Sequence, residues 1–198
     1  MQLFVDIDGV VLDFERSFVA WLNAEYGMGL PEDYQANNWD FTEILDAAEL
    51  DRRWRLYLAS PQAGRMAPLI DPPRFNTLAD AHDVHLVTNF PLPHWEKRVR
   101  NLEDLGLRYA SINHCGFLIF DETHKPRSKS QIVQELRSED HQALFIDDHP
   151  ENCLDVLRNC PDVEVWLMTR RFNRDFAHPD VRRAKDWDHL LQRVEAQE

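Results

Sequence analysis

The run Leu3-Phe4-Val5-Asp6-Ile7-Asp8-Gly9-Val10-Val11 constrains this chain more than any other segment. An apolar stretch leads straight into two carboxylates one residue apart. A strand sends alternate side chains to opposite faces, so Asp6 and Asp8 share one side and Ile7 faces away. Gly9 then permits a sharp turn, or the close approach of a ligand to the backbone. Two like charges this close at a strand end are costly unless a cation or a shared proton relieves them. A hard, oxygen-preferring cation such as Mg²⁺ suits the pair. The arrangement also leaves one carboxylate free to attack and the other to move protons.

The competing readings are a calcium loop and a plain turn. A calcium loop needs a Glu at its twelfth position; counted from Asp6, that position is Ser17. A plain turn gives no reason for a hydrophobic strand to run directly into the acids.

The 198 residues suit one domain of ordinary size with room for an inserted subdomain, and 43% hydrophobic content supplies a core. The net charge, 22 − 35 = −13, argues against a nucleic-acid polymer or an anionic membrane as partner. It leaves a small phosphorylated substrate open, because a pocket's local charge can differ from the total. No stretch approaches the ~20 apolar residues of a membrane span. No charged segment followed by an apolar one marks an export signal. The three cysteines, Cys115, Cys153 and Cys160, fit a reducing compartment better than a disulfide framework, so a cytoplasmic location is expected. Cys153 and Cys160 are expected on one buried helix face and not as metal ligands.

Along the chain, Phe14, Phe18, Trp21, Leu22 and Tyr26 fall at helical spacing with Gly27 as a stop. Residues 28 to 75 hold five prolines (Pro31, Pro61, Pro68, Pro72 and Pro73), helical patches near 41–49 and 50–59, and no convincing strand. Further strands are expected at Val84–Val87, Phe117–Phe120, Ala143–Ile146 and Val163–Met168. Helices are expected near 94–105, with Trp95, Val99, Leu102 and Leu105 inward, at 129–137, through Cys153 to Pro161, and around Trp187 to Val194. Short apolar strands alternating with amphipathic helices mean a parallel sheet covered on both faces, with ligands at the carboxyl ends of the strands. The expected fold is α/β: a Rossmann-like parallel five-stranded sheet with a small helical cap inserted after the first strand. The catalytic core would be 1–14 and 76–198, and the cap 15–75.

Polar groups cluster at the expected strand ends. They are Asp6 and Asp8, Thr88 and Asn89, Asp147 and Asp148, with Lys125 and Lys129 between the third and fourth strands. Taken singly, Thr88-Asn89 reads as a turn, Lys129 as a surface group, and Asp147-Asp148 as acids favoured by a helix N-terminus. Together they supply a nucleophile, a hydroxyl donor, a cation and a metal-binding acid pair. That set matches phosphoryl transfer, which needs positioning and charge neutralisation.

These residues resemble the four motifs of the haloacid dehalogenase-like (HAD) hydrolase superfamily: Asp6-Ile7-Asp8-Gly9, Thr88, the Lys125/Lys129 region and Asp147-Asp148. The resemblance covers nearly the whole chain outside the insertion, which lies between the first and second motifs. It is similar, more loosely, to the 5'(3')-deoxyribonucleotidase family, through Asp6-Ile7-Asp8-Gly9-Val10, Asp13-Phe14 and the helix to Tyr26. The tail from Leu167 to Arg174, then Arg182 to Trp187, resembles that family too. The chain departs from the pattern in its third motif, where two lysines compete and the stretch to Asp147 is long. Lys129 sits three residues before the apolar face of its helix and is preferred; Lys125 is the reserve.

The resemblance implies a Mg²⁺-dependent phosphomonoesterase working through an aspartyl-phosphate, and further a 5'-nucleotidase acting on (deoxy)nucleoside monophosphates. Asp6 would be the nucleophile and Asp8 the general acid and base. The metal would be held by Asp6, the backbone carbonyl of Asp8, Asp147 and, through a water, Asp148. Thr88, the amide of Asn89 and Lys129 would hold the phosphate. Trp39, Phe41, Trp54 and Tyr57 of the insertion would either stack on a base or form the insertion's own core. Rival expectations are a phosphatase of another small phosphometabolite, a phosphotransferase, and a non-catalytic phospholigand-binding module on the same fold. Loss of Asp6 or Asp8 would have favoured the last; both are present.

Overall fold

The computed structural model describes residues 1–116 and 126–195. Its centre is a six-stranded, all-parallel sheet in the order β3-β2-β1-β4-β5-β6. The strands are β1 (Gln2–Val5), β2 (Asp83–Thr88), β3 (Ser111–His114), β4 (Ala143–Asp147), β5 (Val163–Met168) and β6 (Val181–Ala184). The helices are α1 (Phe14–Tyr26), α2 (Ala47–Ala59), α3 (Pro72–Ala81), α4 (Trp95–Asp104), α5 (Lys129–Leu136), α6 (Pro150–Asn159) and α7 (Trp187–Glu195).

The period-two alternation of the buried strands sorts the core into two layers. Leu3, Val5, Leu144 and Ile146 face one side, in one continuous cluster with residues of α1, α3, α4 and α7. Phe4, Phe145, Val165 and Leu167 face the other, against Ile132 and Val133 of α5 and Cys153 and Val156 of α6. All three cysteines are buried and unbridged.

The five-strand expectation is corrected to six. The sheet's two edge strands, β3 and β6, are polar and half-buried (Ser111-Ile112-Asn113-His114 and Val181-Arg182-Arg183-Ala184), so no hydrophobic run announces them. The strand expected at 117–120 lies outside the described residues, as does Lys125. The two helical patches expected at 41–49 and 50–59 are one helix, α2, capped by Asp46 and closed by backbone bonds into Ser60. In α4 the inward face carries Arg98, Asn101 and Leu102, while Trp95, Val99 and Leu105 are only partly buried.

The chain leaves β1 at the middle of the sheet, builds β2 and β3 to one side, then returns to build β4, β5 and β6 on the other. The strand order therefore reverses between β1 and β4. A crevice forms outside the carboxyl ends at such a switch point. Register pairs Val5 with Ile146 and with Leu86. This carries Asp6, Asp147 and Thr88 to one edge. No helix among the described residues is long and apolar enough to cross a membrane.

Candidate active site

Past Val5 the backbone turns back on itself. The Ile7 carbonyl accepts from the amides of Val11 and Leu12 at 2.9 and 2.8 Å, and Gly9 N–H donates to Leu12 O at 2.8 Å. Gly9 sits at φ +85°, and a Cβ there would lie 2.0 Å from an Asp148 carboxylate oxygen, so only glycine fits. Two C-terminal side chains hold this loop. Arg170 Nε donates to Gly9 O at 2.7 Å and Trp187 Nε1 to Val10 O at 2.8 Å.

The centre of the crevice is a buried charge cluster. Lys129 Nζ donates to Asp6 Oδ1 at 2.5 Å and to Asp147 Oδ2 at 2.7 Å. Lys129 is the first residue of α5. Ser128 caps that helix, its side chain accepting from Gln131 N–H while Gln131 reaches back to the Ser128 amide. The capping box fixes where the helix starts, and so aims Lys129 at the strand ends. Asp147 also accepts from His149 N–H at 2.8 Å and from Asn152 Nδ2 at 3.2 Å. Asn173 Nδ2 ties the Asp148 carbonyl to that of Met168, at 2.7 and 2.8 Å.

Three carboxylates surround one ammonium. Burial raises the Asp6 carboxyl well above its ordinary value; Lys129 pulls it down, and Asp147 and Asp148 push it up again. Burial and the neighbouring Asp147 push Asp148 up to about 7, against the lowering pull of Arg170 and Lys129. For Lys129, burial works against the charged form, but Asp147 and Asp6 outweigh it and the net shift is upward. The cluster is short of positive charge. Oxygens of Asp6, Asp147 and Asp148 lie within 4.8 Å of one another. An all-carboxylate set of this span suits a hard divalent cation, whose charge cancels the excess. The residues present therefore fit Mg²⁺.

Asp8 stands apart from this cluster. Its Oδ1 accepts from Arg98 Nη2 at 2.5 Å and its Oδ2 from Thr88 Oγ1 at 3.3 Å. The Thr88 hydroxyl in turn accepts from Phe90 N–H at 3.1 Å. Sequence reasoning missed Arg98, Asn152, Arg170 and Asn173 as partners of the motif residues.

A cavity of about 570 Å³ opens onto these groups. Asp6, Asp8, Thr88, Asn89, Lys129 and Asp148 all line it, whereas Asp147 does not and sits behind the lysine. The insertion supplies the opposite wall. Of the four aromatics read from the sequence, Phe41 and Tyr57 are fully packed core. Trp54 is partly buried, with Phe14, Phe18 and Trp39 against its ring. All four line the cavity, and Trp39 is the most exposed of them, 44%, held edge-on by Trp54 and His149 at 6.2 and 5.2 Å.

Comparison with solved structures finds the same architecture in HAD hydrolases. The HAD-hydrolase YfnB of Bacillus subtilis, bound to magnesium, superposes with a TM-score of 0.60 at 17% identity, over 98% of each chain. L-2-haloacid dehalogenase of Xanthobacter autotrophicus gives 0.65 at 11% identity, over 100% of this chain and 99% of the other. CbbY of Rhodobacter sphaeroides, in complex with phosphate, gives 0.56 at 15% identity, over 96% and 95%. The fold is that of the HAD hydrolases. At these identities the likeness extends to the fold alone. No protein-family model and no curated protein matches the chain. The likeness to deoxyribonucleotidases rests on the sequence motifs.

Proposed function

We propose that this chain is a Mg²⁺-dependent phosphomonoesterase that works through an aspartyl-phosphate on Asp6, with (deoxy)nucleoside monophosphates as substrates. The observation that carries the reading is the placement of Asp6. Its carboxylate is buried at the switch point of the sheet, one oxygen is held by Lys129, and the side chain lines a cavity shared with Asp8, Thr88 and Asn89. Residues 1–14 with the chain after the insertion form the core in this reading, and 15–75 the cap. The packing moves that boundary by one turn: α3 starts at Pro72 and packs Phe75 against Trp187 at 6.2 Å, so residues 72–75 go with the core and the cap ends before them.

The Asp6 oxygen not held by Lys129 attacks phosphorus. The bond from phosphorus to the ester oxygen breaks, and Asp8 gives that oxygen its proton. In the second half Asp8 takes a proton from water, the water oxygen bonds to phosphorus, and the bond to Asp6 breaks. Thr88, the Asn89 amide and Lys129 hold the phosphoryl oxygens. Asp6, Asp147, Asp148 and the Asp8 carbonyl would hold Mg²⁺, which when bound neutralises phosphoryl charge.

A cavity of about 570 Å³ falls in the size range of small-ligand sites, roughly 300–1,000 Å³, and the exposed ring of Trp39 suits a base. A second reading follows from the carboxylates Asp13, Glu15, Glu32 and Asp33 on the same cavity. They favour a leaving group that carries hydrogen-bond donors or positive charge, such as an amino-bearing phosphometabolite. Phosphate release from nucleoside monophosphates, sugar phosphates and amino-alcohol phosphates, with Mg²⁺ and with EDTA, tests both readings. Metal-dependent release that prefers nucleotides is expected, with Trp39→Ala raising KM for nucleotides but not for glycerol phosphate. Preference for amino-bearing esters would replace the nucleotide reading. Absence of release from every ester would overturn the phosphatase.

The raised carboxyl of Asp148 gives a second test. Its folded value of about 7 exceeds the ordinary 3.8. The folded protein therefore holds a proton that the unfolded chain releases between those values, and stability falls as pH rises across that window. Metal-free protein should lose a few kcal/mol from this group between about pH 5 and 8. Mg²⁺ at pH 8 should restore melting temperature. Thermal melts of wild type and Asp148→Asn in EDTA check this; an equally steep decline in the variant would place its cause elsewhere.

A further inference from the structure

Arg98 is the largest fully buried side chain among the described residues, and its environment satisfies it poorly. Nη2 donates to Asp8 Oδ1 at 2.5 Å, while Nη1 reaches only the Ala63 carbonyl and Met66 Sδ, each at 3.4 Å. Its Cζ lies 4.2 Å from the centroid of Phe90, and its buried Nε has no hydrogen-bond partner among the described residues. A guanidinium has five donors. Packing alone gives no reason to bury one so incompletely, since apolar residues of similar volume commonly fill such sites at no cost in stability. The one short bond Arg98 makes is to a carboxylate in the cavity wall.

The helix that presents Arg98 to that carboxylate is clamped, and the side chain is buried on it. On the neighbouring face of α4, Lys97 Nζ donates to the carbonyls of Leu58, Ala59 and Ser60 at 2.6, 2.6 and 3.1 Å. One turn on, Asn101 accepts from Met66 N–H at 2.9 Å and donates to Met66 O at 3.1 Å. Lys97, Arg98 and Asn101 thus lock α4 to the return segment of the insertion, with Arg98 pointing inward at Asp8.

Resting on the phosphomonoesterase reading above, we propose that Arg98 is a positioning residue: it holds Asp8 Oδ1 so that Oδ2, beside the Thr88 hydroxyl, is the oxygen that carries the proton to the leaving group. The proton passes from Oδ2 to the ester oxygen as its bond to phosphorus breaks and the bond from Asp6 forms. Without Arg98 the fold and the nucleophile remain, and Oδ2 loses its fixed direction.

The leaving group separates this role from a purely structural one. A nucleoside oxygen needs its proton in the first step, whereas 4-nitrophenolate leaves without one. kcat/KM reports that first step, so it is compared for a nucleoside monophosphate and for 4-nitrophenyl phosphate, with Mg²⁺. General acid catalysis contributes about 10²–10⁴-fold. Arg98→Met is therefore expected to lose about 100-fold on the nucleotide and under about 5-fold on the nitrophenyl ester. Arg98→Lys keeps charge and bulk but lacks the planar fork, and should show the same split at about 10-fold. It carries the test if Arg98→Met does not fold. Added to Asp8→Asn, Arg98→Met should cost nothing further. Equal losses on both esters, no loss on either, or additive losses with Asp8→Asn would each overturn the assignment while leaving the phosphatase intact. Failure of wild type to hydrolyse these two esters and every other ester of the panel above would remove the phosphatase reading and this role with it.

Discussion

Asp6→Asn is expected to abolish phosphate release while leaving the melting temperature at or above that of wild type. Removing a nucleophile typically costs on the order of 10⁴-fold or more. The stability half of the expectation comes from the charge cluster. Burial, with Asp147 and Asp148 adding to it, holds the Asp6 carboxyl well above its ordinary value. Ionising it inside the fold is therefore unfavourable at neutral pH, and an amide removes that cost. Lys129 keeps its 2.7 Å bond to Asp147, so no ammonium is stranded. Phosphate assays and thermal melts in EDTA, on one preparation of each protein, give both numbers. Turnover within tenfold of wild type would remove Asp6 as nucleophile. Loss of both activity and stability would make it a structural anchor instead. The melt should also respond less to Mg²⁺ than wild type does, since one of three carboxylates is gone.

The acids were legible in the sequence because their chemistry conflicts with their neighbours. Asp6 and Asp8 after Leu3-Phe4-Val5, and Asp147-Asp148 after Leu144-Phe145-Ile146, are charges at the ends of fully buried strands. Strands with both faces covered carry this signal; β3 and β6, at the edges with half-exposed polar side chains, do not. Periodicity favours Lys129 over Lys125, since it stands three residues before the apolar face of its helix, and Ser128 and Gln131 spell a capping box that starts the helix at 129. Arg98 was illegible for a different reason. Helical periodicity marks apolar faces, so it points to Trp95, Val99, Leu102 and Leu105 and passes over Arg98 and Asn101. A polar face turned inward is explained only by its partners, Asp8 and Met66, which lie 90 and 35 residues away in the chain. Arg170 and Asn173 were hidden likewise, since their acceptors are the backbone carbonyls of Gly9, Met168 and Asp148. Trp39 cannot be separated from Phe41, Trp54 and Tyr57 by residue type; only packing shows which ring is the most exposed.

Lys129→Met is expected to damage both stability and turnover, which distinguishes it from the substitution at Asp6. Lys129 is the one cation in direct contact with both Asp6 and Asp147 among the described residues, and all three are buried. Methionine fills much of the same volume but leaves the carboxylates uncompensated. Breaking a buried ion pair from one side costs about 3–5 kcal/mol, or roughly 6–20 °C in melting temperature for a chain of this size. Two responses would mark the cause as charge. The deficit should shrink as pH falls, because protonation of Asp6 or Asp148 relieves the repulsion. It should also shrink with Mg²⁺, because the ion becomes the main remaining source of positive charge in the cluster. Turnover should fall by about 10²–10³-fold even at saturating Mg²⁺, the usual cost of removing one fixed group that stabilises transition-state charge. A melting temperature at pH 8 in EDTA within 1–2 °C of wild type, a shift of only about 0.5 kcal/mol, would show that the carboxylates do not need the ammonium. The excess charge inferred from Asp6 and Asp148 would then be absent, and with it the physical case for a divalent cation at this site.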